Sequence, residues 1–490
     1  MADAQTTGTI VWRRIVADTE TPVSAWLKLS EPGRGDFLLE SVEGGAVRGR
    51  FSLIGLDPDL VWRATGDASD INRQWQTDRA AFVPCPGGTL AELRALVAAC
   101  RLPVPEGLPP ALPTLVGTMG YDTARLAERL PEPKADPLGI PDLLFVRPTL
   151  LLVFDRLKDD LYFVAPIYPG APADAAARAG EAIDAAEARL ARPCAAVRQP
   201  VTAAQTGEVT AILPPGHYEA MVRAAQERIT AGDIFQVVLA QRFTVDFPLP
   251  PLDLYRSLRR INPSPFLYFL DLPGFALIGS SPEILVRVRD GEVTIRPIAG
   301  TRPRGRDAVD DARLRDDLLA DPKELAEHLM LLDLGRNDVG RVATAGSVVV
   351  TDRFGVEFYS HVMHIVSNVR GRLAEGHDAI DALLAGFPAG TVSGAPKIRA
   401  MEIIHDLEGE KRGAYAGGVG YFSPDGSMDS CIVLRTAVVK DGVMHVQAGA
   451  GVVADSVPAS EDAECRAKAG ALFAAARDAL ARAAEPGYGQ

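Results

Sequence analysis

Residues 284–301 read Ile284-Leu285-Val286-Arg287-Val288-Arg289-Asp290-Gly291-Glu292-Val293-Thr294-Ile295-Arg296-Pro297-Ile298-Ala299-Gly300-Thr301. Two β-rich runs, 284–288 and 293–298, flank an Asp-Gly pair, and that dipeptide tolerates the positive φ angles of a tight hairpin turn. The pattern returns further on, where Asp441-Gly442 separates 432–439 from 443–446. Both second strands run into glycine: Gly300 before Thr301, and Gly449-Ala450-Gly451. Glycine at such a place lets a ligand approach the backbone and bond to its amides. An ordinary turn glycine is the competing reading for either motif alone.

Outward from these hairpins, 148–155 and 161–167 read as paired strands around a polar turn, and 174–191 is an alanine-rich helix. The stretch 193–216 has no clear periodicity and ends in Pro214-Pro215-Gly216, which makes it the domain boundary. The sequence thus predicts an N-terminal domain at 1–205 and a second at 206–490. The second opens with an amphipathic helix over 217–231, apolar at Met221, Ala224, Ala225 and Ile229.

A chain of 490 residues with 47% hydrophobic content can bury a large core, and its net charge of −13 argues against binding to nucleic-acid phosphates. Five scattered cysteines form neither a CxxC pair nor a His/Cys cluster, so neither a disulfide framework nor a zinc site is expected. The N-terminus has no basic stretch followed by an apolar one, and no apolar run reaches membrane length. These features predict a soluble, cytoplasmic protein.

Two acidic pairs stand out. Asp321-Pro322-Lys323-Glu324 reads as a helix start, with Asp as N-cap and Pro at the first position. Glu324 and Glu327 then lie on one helix face. A second start follows Ser460 and puts Glu461 and Glu464 at the same spacing. Such pairs are usually solvated surface. Two helices each offering a glutamate would nevertheless suit magnesium, which is held by one or two carboxylates with water and substrate oxygens completing its shell.

Several motifs together are specific. Gly279-Ser280-Ser281-Pro282-Glu283, Pro297-Ile298-Ala299-Gly300-Thr301, the run from Glu327-His328-Leu329 to Arg336-Asn337-Asp338, and Tyr359-Ser360-His361-Val362-Met363-His364 occur in this order. They are followed by Gly390-Thr391-Val392-Ser393-Gly394-Ala395-Pro396-Lys397 and by the segment 447–456 with Glu464 downstream. In this order, spanning about 218–468, they resemble the chorismate-utilising enzyme family. Residues 21–29 with Leu38-Leu39-Glu40-Ser41 are similar to its anthranilate synthase large-subunit branch.

The resemblance implies an α+β fold with a large antiparallel β-sandwich flanked by helices. It implies a lyase that makes anthranilate and pyruvate from chorismate and ammonia, with Glu283 as general acid and His364 and Thr391 in the catalytic region. Gly300, Thr301, Tyr415, Arg435, Gly449, Ala450, Gly451 and Lys468 would contact substrate, and Arg435, placed in a strand over 431–439, suits bidentate carboxylate binding. Magnesium would rest on Glu327 and Glu464, with Glu324 and Glu461 in its hydration shell.

Three features choose among relatives. Water-using members carry a Lys base where Gln236 stands here, and ammonia needs no such base. Aminodeoxychorismate synthases carry Lys where Ala299 stands. No Gly-x-Cys-x-Gly nucleophile elbow occurs, so ammonia would come from solution or from a glutamine amidotransferase small subunit in a hetero-oligomer. The alternatives are an enzyme that stops at 2-amino-2-deoxyisochorismate and a non-catalytic chorismate- or tryptophan-binding regulator. Finally, Glu40 and Ser41, with Asn262, Pro265, Phe266 and Leu267, resemble the two segments of the family's site for feedback inhibition by tryptophan, although Pro265-Phe266-Leu267 departs from the commoner Pro-Tyr-Met.

Overall fold

The computed structural model describes residues 8–43, 47–194, 207–359 and 362–485. Both Asp-Gly hairpins form. Strand Ile284–Arg289 returns as Glu292–Ile295 with Arg289 opposite Glu292, and Thr436–Lys440 returns as Val443–Val452 with Lys440 opposite Val443. Each turn is a pair of left-handed residues, Asp290 and Gly291 at φ 50° and 71°, Asp441 and Gly442 at 51° and 76°. That backbone matches the right-handed twist of the flanking strands.

Two expected strands are corrected. The run 293–298 breaks after Ile295, because Pro297 has no amide to give to a ladder. It resumes as Ile298–Pro303, and both pieces pair with the long strand Val362–Arg372. The run expected as one strand over 431–439 is two. Met428–Ile432 lies in one sheet and Thr436–Lys440 in the other, with Arg435 at the step between them in a left-handed conformation, φ 48°.

The described residues form two sheets of twelve strands each, flanked by helices, which is the expected α+β sandwich. Strands from both sides of the expected boundary share each sheet. Asp36–Glu43 pairs with Phe266–Leu272, and Leu115–Met119 pairs with Gly418–Phe422. The boundary itself, at 205/206, falls outside the described residues.

Period-two alternation sorts the side chains. Phe37 and Leu53 face the layer between the sheets, beside Val116, Phe145, Leu277 and Val286. Leu38 and Ile54 face the opposite way, under Trp26, Leu258 and Leu472 of the covering helices. Each such buried aliphatic or aromatic side chain stabilises the fold by ~1.5–3 kcal/mol.

Helices Ala175–Leu190 and His217–Thr230 lie where the sequence put them. Pro322–Gly340 begins as expected, with the Asp321 carboxylate accepting from the amides of Lys323 and Glu324. The last helix, Pro458–Ala483, starts two residues before Ser460, because proline fits the first turn, where its missing N–H costs nothing.

Candidate active site

Two chain crossings between the sheets lie side by side and build one corner of the site. In the first, strand Phe275–Ser281 of one sheet gives way to Ile284–Arg289 of the other, and Glu283 sits at the step. The second is the step at Arg435. Backbone bonds clamp them together, Ile432 N–H to Glu283 O at 3.0 Å and Ser280 N–H to Arg435 O at 3.2 Å. Glu283 and Arg435 are therefore neighbours although 152 positions apart, by the difference of their numbers.

Burial pushes the Glu283 carboxyl up to about 8, against opposing pulls from the Thr391 hydroxyl and from Arg435. The Thr391 hydroxyl, on the short helix Gly390–Ser393, donates to Glu283 Oε1 at 3.1 Å. At neutral pH the acid is thus mostly protonated and has a proton to give. Burial lowers Arg435, and the negative potential of Tyr359 and Glu283 only partly offsets it. Arg435 makes no ion pair among the described residues, so its fork is free for a carboxylate from outside.

His364 faces this corner from strand Val362–Arg372, directly opposite Thr301 in the ladder. Its Nδ1 lies 3.1 Å from the Gly300 carbonyl and 3.1 Å from Thr301 Oγ1. An Nδ1–H donated to the carbonyl leaves Nε2 with a free lone pair, the arrangement of a general base. Burial lowers the imidazole's pKa and keeps it neutral. Tyr359 packs edge-on against the ring at 5.5 Å. Ser360 and His361 of the same motif lie outside the described residues.

The glycine strand forms the opposite wall. Gly449, Ala450 and Gly451 pair with Ala240, Leu239 and Val238. A Cβ on Gly449 would stand 2.7 Å from the Tyr415 hydroxyl, and one on Gly451 2.6 Å from Gln236 Nε2, so glycine is required for these groups to approach. Lys468 Nζ donates to the Gly449 carbonyl at 3.0 Å and also pairs with Glu464 at 2.7 Å. Gly300, at φ 72°, would meet Glu324 Oε2 at 3.2 Å if it carried a Cβ.

The four glutamates share one electrostatic neighbourhood. Burial raises Glu327, and the like charges of Glu324 and Glu464 raise it further. Burial likewise raises Glu461, to which Glu464 adds. Gln236 Nε2 lies 3.4 Å from Glu327 Oε1, while Glu324 is held by Arg302 at 3.2 Å. Among the described residues no three metal-ligating side chains gather into a ready cage. The donor chemistry, oxygen only and one or two anions at a time, still fits a hard divalent cation that keeps most of its water.

A separate cavity of about 540 Å³ lies between the sheets, without Glu283, Arg435 or His364 in its lining. Glu40, Ser41, Pro265, Phe266 and Leu267 line it, and Glu40 is the direct ladder partner of Leu267. Pro282 and Ile284, which flank Glu283, line it too. The Glu40 carboxylate is already taken by Tyr255 at 2.6 Å, Arg156 at 2.6 Å and Arg259 at 2.8 Å. Asn262 is not in the lining. It ends helix Pro251–Ile261 and its carbonyl accepts from the Ser280 hydroxyl.

Sequence reasoning did not single out two residues between these walls, Glu408 and Arg412. They carry no motif, and the only sequence signal is a Glu and an Arg one helical turn apart just upstream of Tyr415.

Comparison with known proteins agrees with this geometry. The chorismate binding enzyme family matches residues 70–474. The chain is 54% identical to anthranilate synthase component 1 of Cereibacter sphaeroides, covering 98% of this chain and 97% of that protein. It is 48% identical to the component 1 of Thermus thermophilus, covering 94% and 96%. The crystal structure of anthranilate synthase component I from Streptococcus pneumoniae superposes with a TM-score of 0.76 at 34% identity, covering 94% of this chain and 99% of that one. The menaquinone-specific isochorismate synthase of Escherichia coli, at 20% identity and a TM-score of 0.69, shares the fold. No helix among the described residues is long and apolar enough to cross a membrane. The chain belongs to the chorismate binding enzyme family, in its anthranilate synthase component 1 branch.

Proposed function

We propose that the chain converts chorismate and ammonia to anthranilate, pyruvate and water, in the cytoplasm, as the first committed step towards tryptophan. The observation that carries this reading is a buried carboxyl, Glu283, pushed up to about 8 by that burial and set beside the buried guanidinium of Arg435. The substrate is a dicarboxylate whose ring hydroxyl must leave. Arg435 takes one carboxylate as a fork, and the Gly449 and Gly451 backbone with Tyr415 bounds the ring. Glu283 delivers its proton to the departing hydroxyl, because hydroxide itself is a poor leaving group. Ammonia adds to the ring without a base, consistent with Gln236 in place of an amine. His364 Nε2 then takes the proton from the aminated ring carbon, the enolpyruvyl C–O bond breaks, and the ring becomes aromatic as pyruvate departs.

Glu327 and Glu464 would hold magnesium, with Glu324 and Glu461 bonded to its waters. Bound there, the cation supplies positive charge to a substrate carboxylate and polarises the reacting ring. Glu464→Gln keeps the shape and removes one anionic contact, worth ~1.5 kcal/mol, or about tenfold in affinity. The magnesium concentration giving half-maximal rate is expected to rise by at least that factor, and a metal titration of initial rates checks it.

The functional assay is turnover of chorismate with ammonium and magnesium, followed by anthranilate fluorescence. No anthranilate, but uptake of ammonia into an amino intermediate, would indicate an enzyme that stops at 2-amino-2-deoxyisochorismate. No turnover at all would favour a non-catalytic regulator. Ammonia is expected to come from a glutamine amidotransferase small subunit in a hetero-oligomer, so the purified chain alone should use ammonium but not glutamine.

His364→Met leaves Glu283 and Arg435 in place and removes only the base. The variant is expected to consume chorismate and accumulate the aminated intermediate, with anthranilate formation falling by about 10²-fold or more. Product analysis by chromatography checks it, and equal loss of both steps would count against this division of labour.

A further inference from the structure

Arg412 is almost fully buried and bridges the short helix that carries Thr391 and the strand paired with the glycine wall. Its Nη1 donates to the Val392 carbonyl at 2.8 Å, one residue after Thr391, whose hydroxyl holds Glu283. Its Nη2 donates to the Val238 carbonyl at 2.7 Å, and Val238 is the ladder partner of Gly451. The guanidinium lies over the Tyr415 ring at 5.5 Å and over Tyr121 at 4.7 Å. Glu408, also buried, takes Nε and Nη2 at 2.8 and 2.6 Å, and accepts from the Ala240 amide at 2.8 Å, the residue opposite Gly449.

A lone buried ion pair is weak evidence for anything but a fold, since hydrophobic packing often serves as well. This pair differs in where its remaining bonds go. All end on backbone one residue or one ladder rung from a group that faces substrate. We infer that Arg412, seated by Glu408, is a positioning residue for the reaction: it fixes the distance between the Thr391–Glu283 acid and the glycine wall. The guanidinium suits this role because its planar fork spans divergent acceptors at once, which the single ammonium of lysine cannot do. The inference rests on the proposed roles of Glu283 and the glycine strand.

The test is Arg412→Lys in the full chain, which keeps the buried charge and loses the fork. Loosening the Val392 carbonyl frees Thr391 from Glu283, and that bond holds the acid's pKa down. The expected result is a kcat lower by about ten- to a hundredfold, with KM for chorismate changed much less. The alkaline limb of the kcat/KM profile should also move to higher pH. If kcat and the limb are unchanged while only the melting temperature falls, Arg412 is structural and the inference is overturned. Should R412K not fold, Tyr121→Leu removes the ring beneath the guanidinium and is expected to shift the same limb in the same direction; no shift overturns the inference equally. Wild-type protein that makes no anthranilate would fail the functional reading instead, before any variant is compared.

Discussion

Glu283→Gln is expected to lower kcat by about 10²–10⁴-fold, the range for loss of a positioned general acid. The amide keeps the side chain's shape but has no acidic proton to deliver. Chorismate affinity should change little, because Arg435 and the glycine wall remain. The pH dependence supplies an independent check. Burial is the main reason the carboxyl is held near 8, so its acid form dominates below that pH and is lost above it. The kcat/KM profile should therefore fall as pH rises through about 8. A bound dianion at Arg435 disfavours ionisation further, so the kcat limb should lie higher than the kcat/KM limb.

The same group gives a stability signature. Its folded pKa is raised above the ordinary 4.5, so its contribution is fully present below 4.5 and is lost as pH climbs through about 8. The variant, with nothing to ionise there, should lose this part of the alkaline destabilisation. Parallel denaturation curves across that window for both proteins, together with an unchanged pH–rate profile, would show that Glu283 is not the acid.

What the sequence disclosed and what it hid divide along a physical line. The hairpins at Asp290-Gly291 and Asp441-Gly442 and the Asp321 cap were legible because each is decided by a few adjacent residues. The site residues were legible only as family motifs; spacing alone could not bring Glu283 to Arg435. That pairing depends on two sheet-to-sheet crossings, and the second hides inside an unbroken-looking β-rich run. Only the left-handed Arg435 marks the step, and arginine is not a residue from which φ 48° would be guessed. Glu408 and Arg412 were hidden for a related reason. Beyond each other, their partners are the Val392 carbonyl on a short helix and the Val238 carbonyl and Ala240 amide on a distant strand, which leave no trace in side-chain patterning. Glu40 shows a related limit, since its motif gave no sign that a residue lining the cavity also has its carboxylate bonded to Tyr255, Arg156 and Arg259.

Ser41→Arg is expected to raise the tryptophan concentration needed for half inhibition by about a hundredfold, near the upper end of usual allosteric couplings, while uninhibited turnover stays nearly constant. The strand pairing explains why Ser41 is the position to change. The register of Asp36–Glu43 against Val47–Leu56 slips between Glu40 and Val42, where Ser41 is left out of the ladder opposite a bulge of Gly49, Arg50 and Phe51. Bulges re-aim a side chain without ending the strand, and here Ser41 borders the cavity of about 540 Å³. Gly49 leaves the space that the Ser41 hydroxyl occupies. Phe266 and Leu267 give the cavity an apolar wall and Arg296 is among its polar groups, a lining that would suit the ring and carboxylate of an aromatic amino acid. An arginine at 41 would project into that volume and bring a further cation, while Glu283, Arg435 and His364 are not among the residues lining it. Inhibition requires that tryptophan favour a low-activity state, since equal affinity for both states shifts nothing. Pro282 and Ile284 line the cavity and flank Glu283, so a ligand that moves them moves the acid. Reciprocity then demands that chorismate weaken tryptophan binding by the same factor that tryptophan weakens chorismate binding. Calorimetric titration of tryptophan with and without saturating substrate analogue measures that factor directly, and equal affinities in the two titrations would mean that the cavity does not speak to the active site.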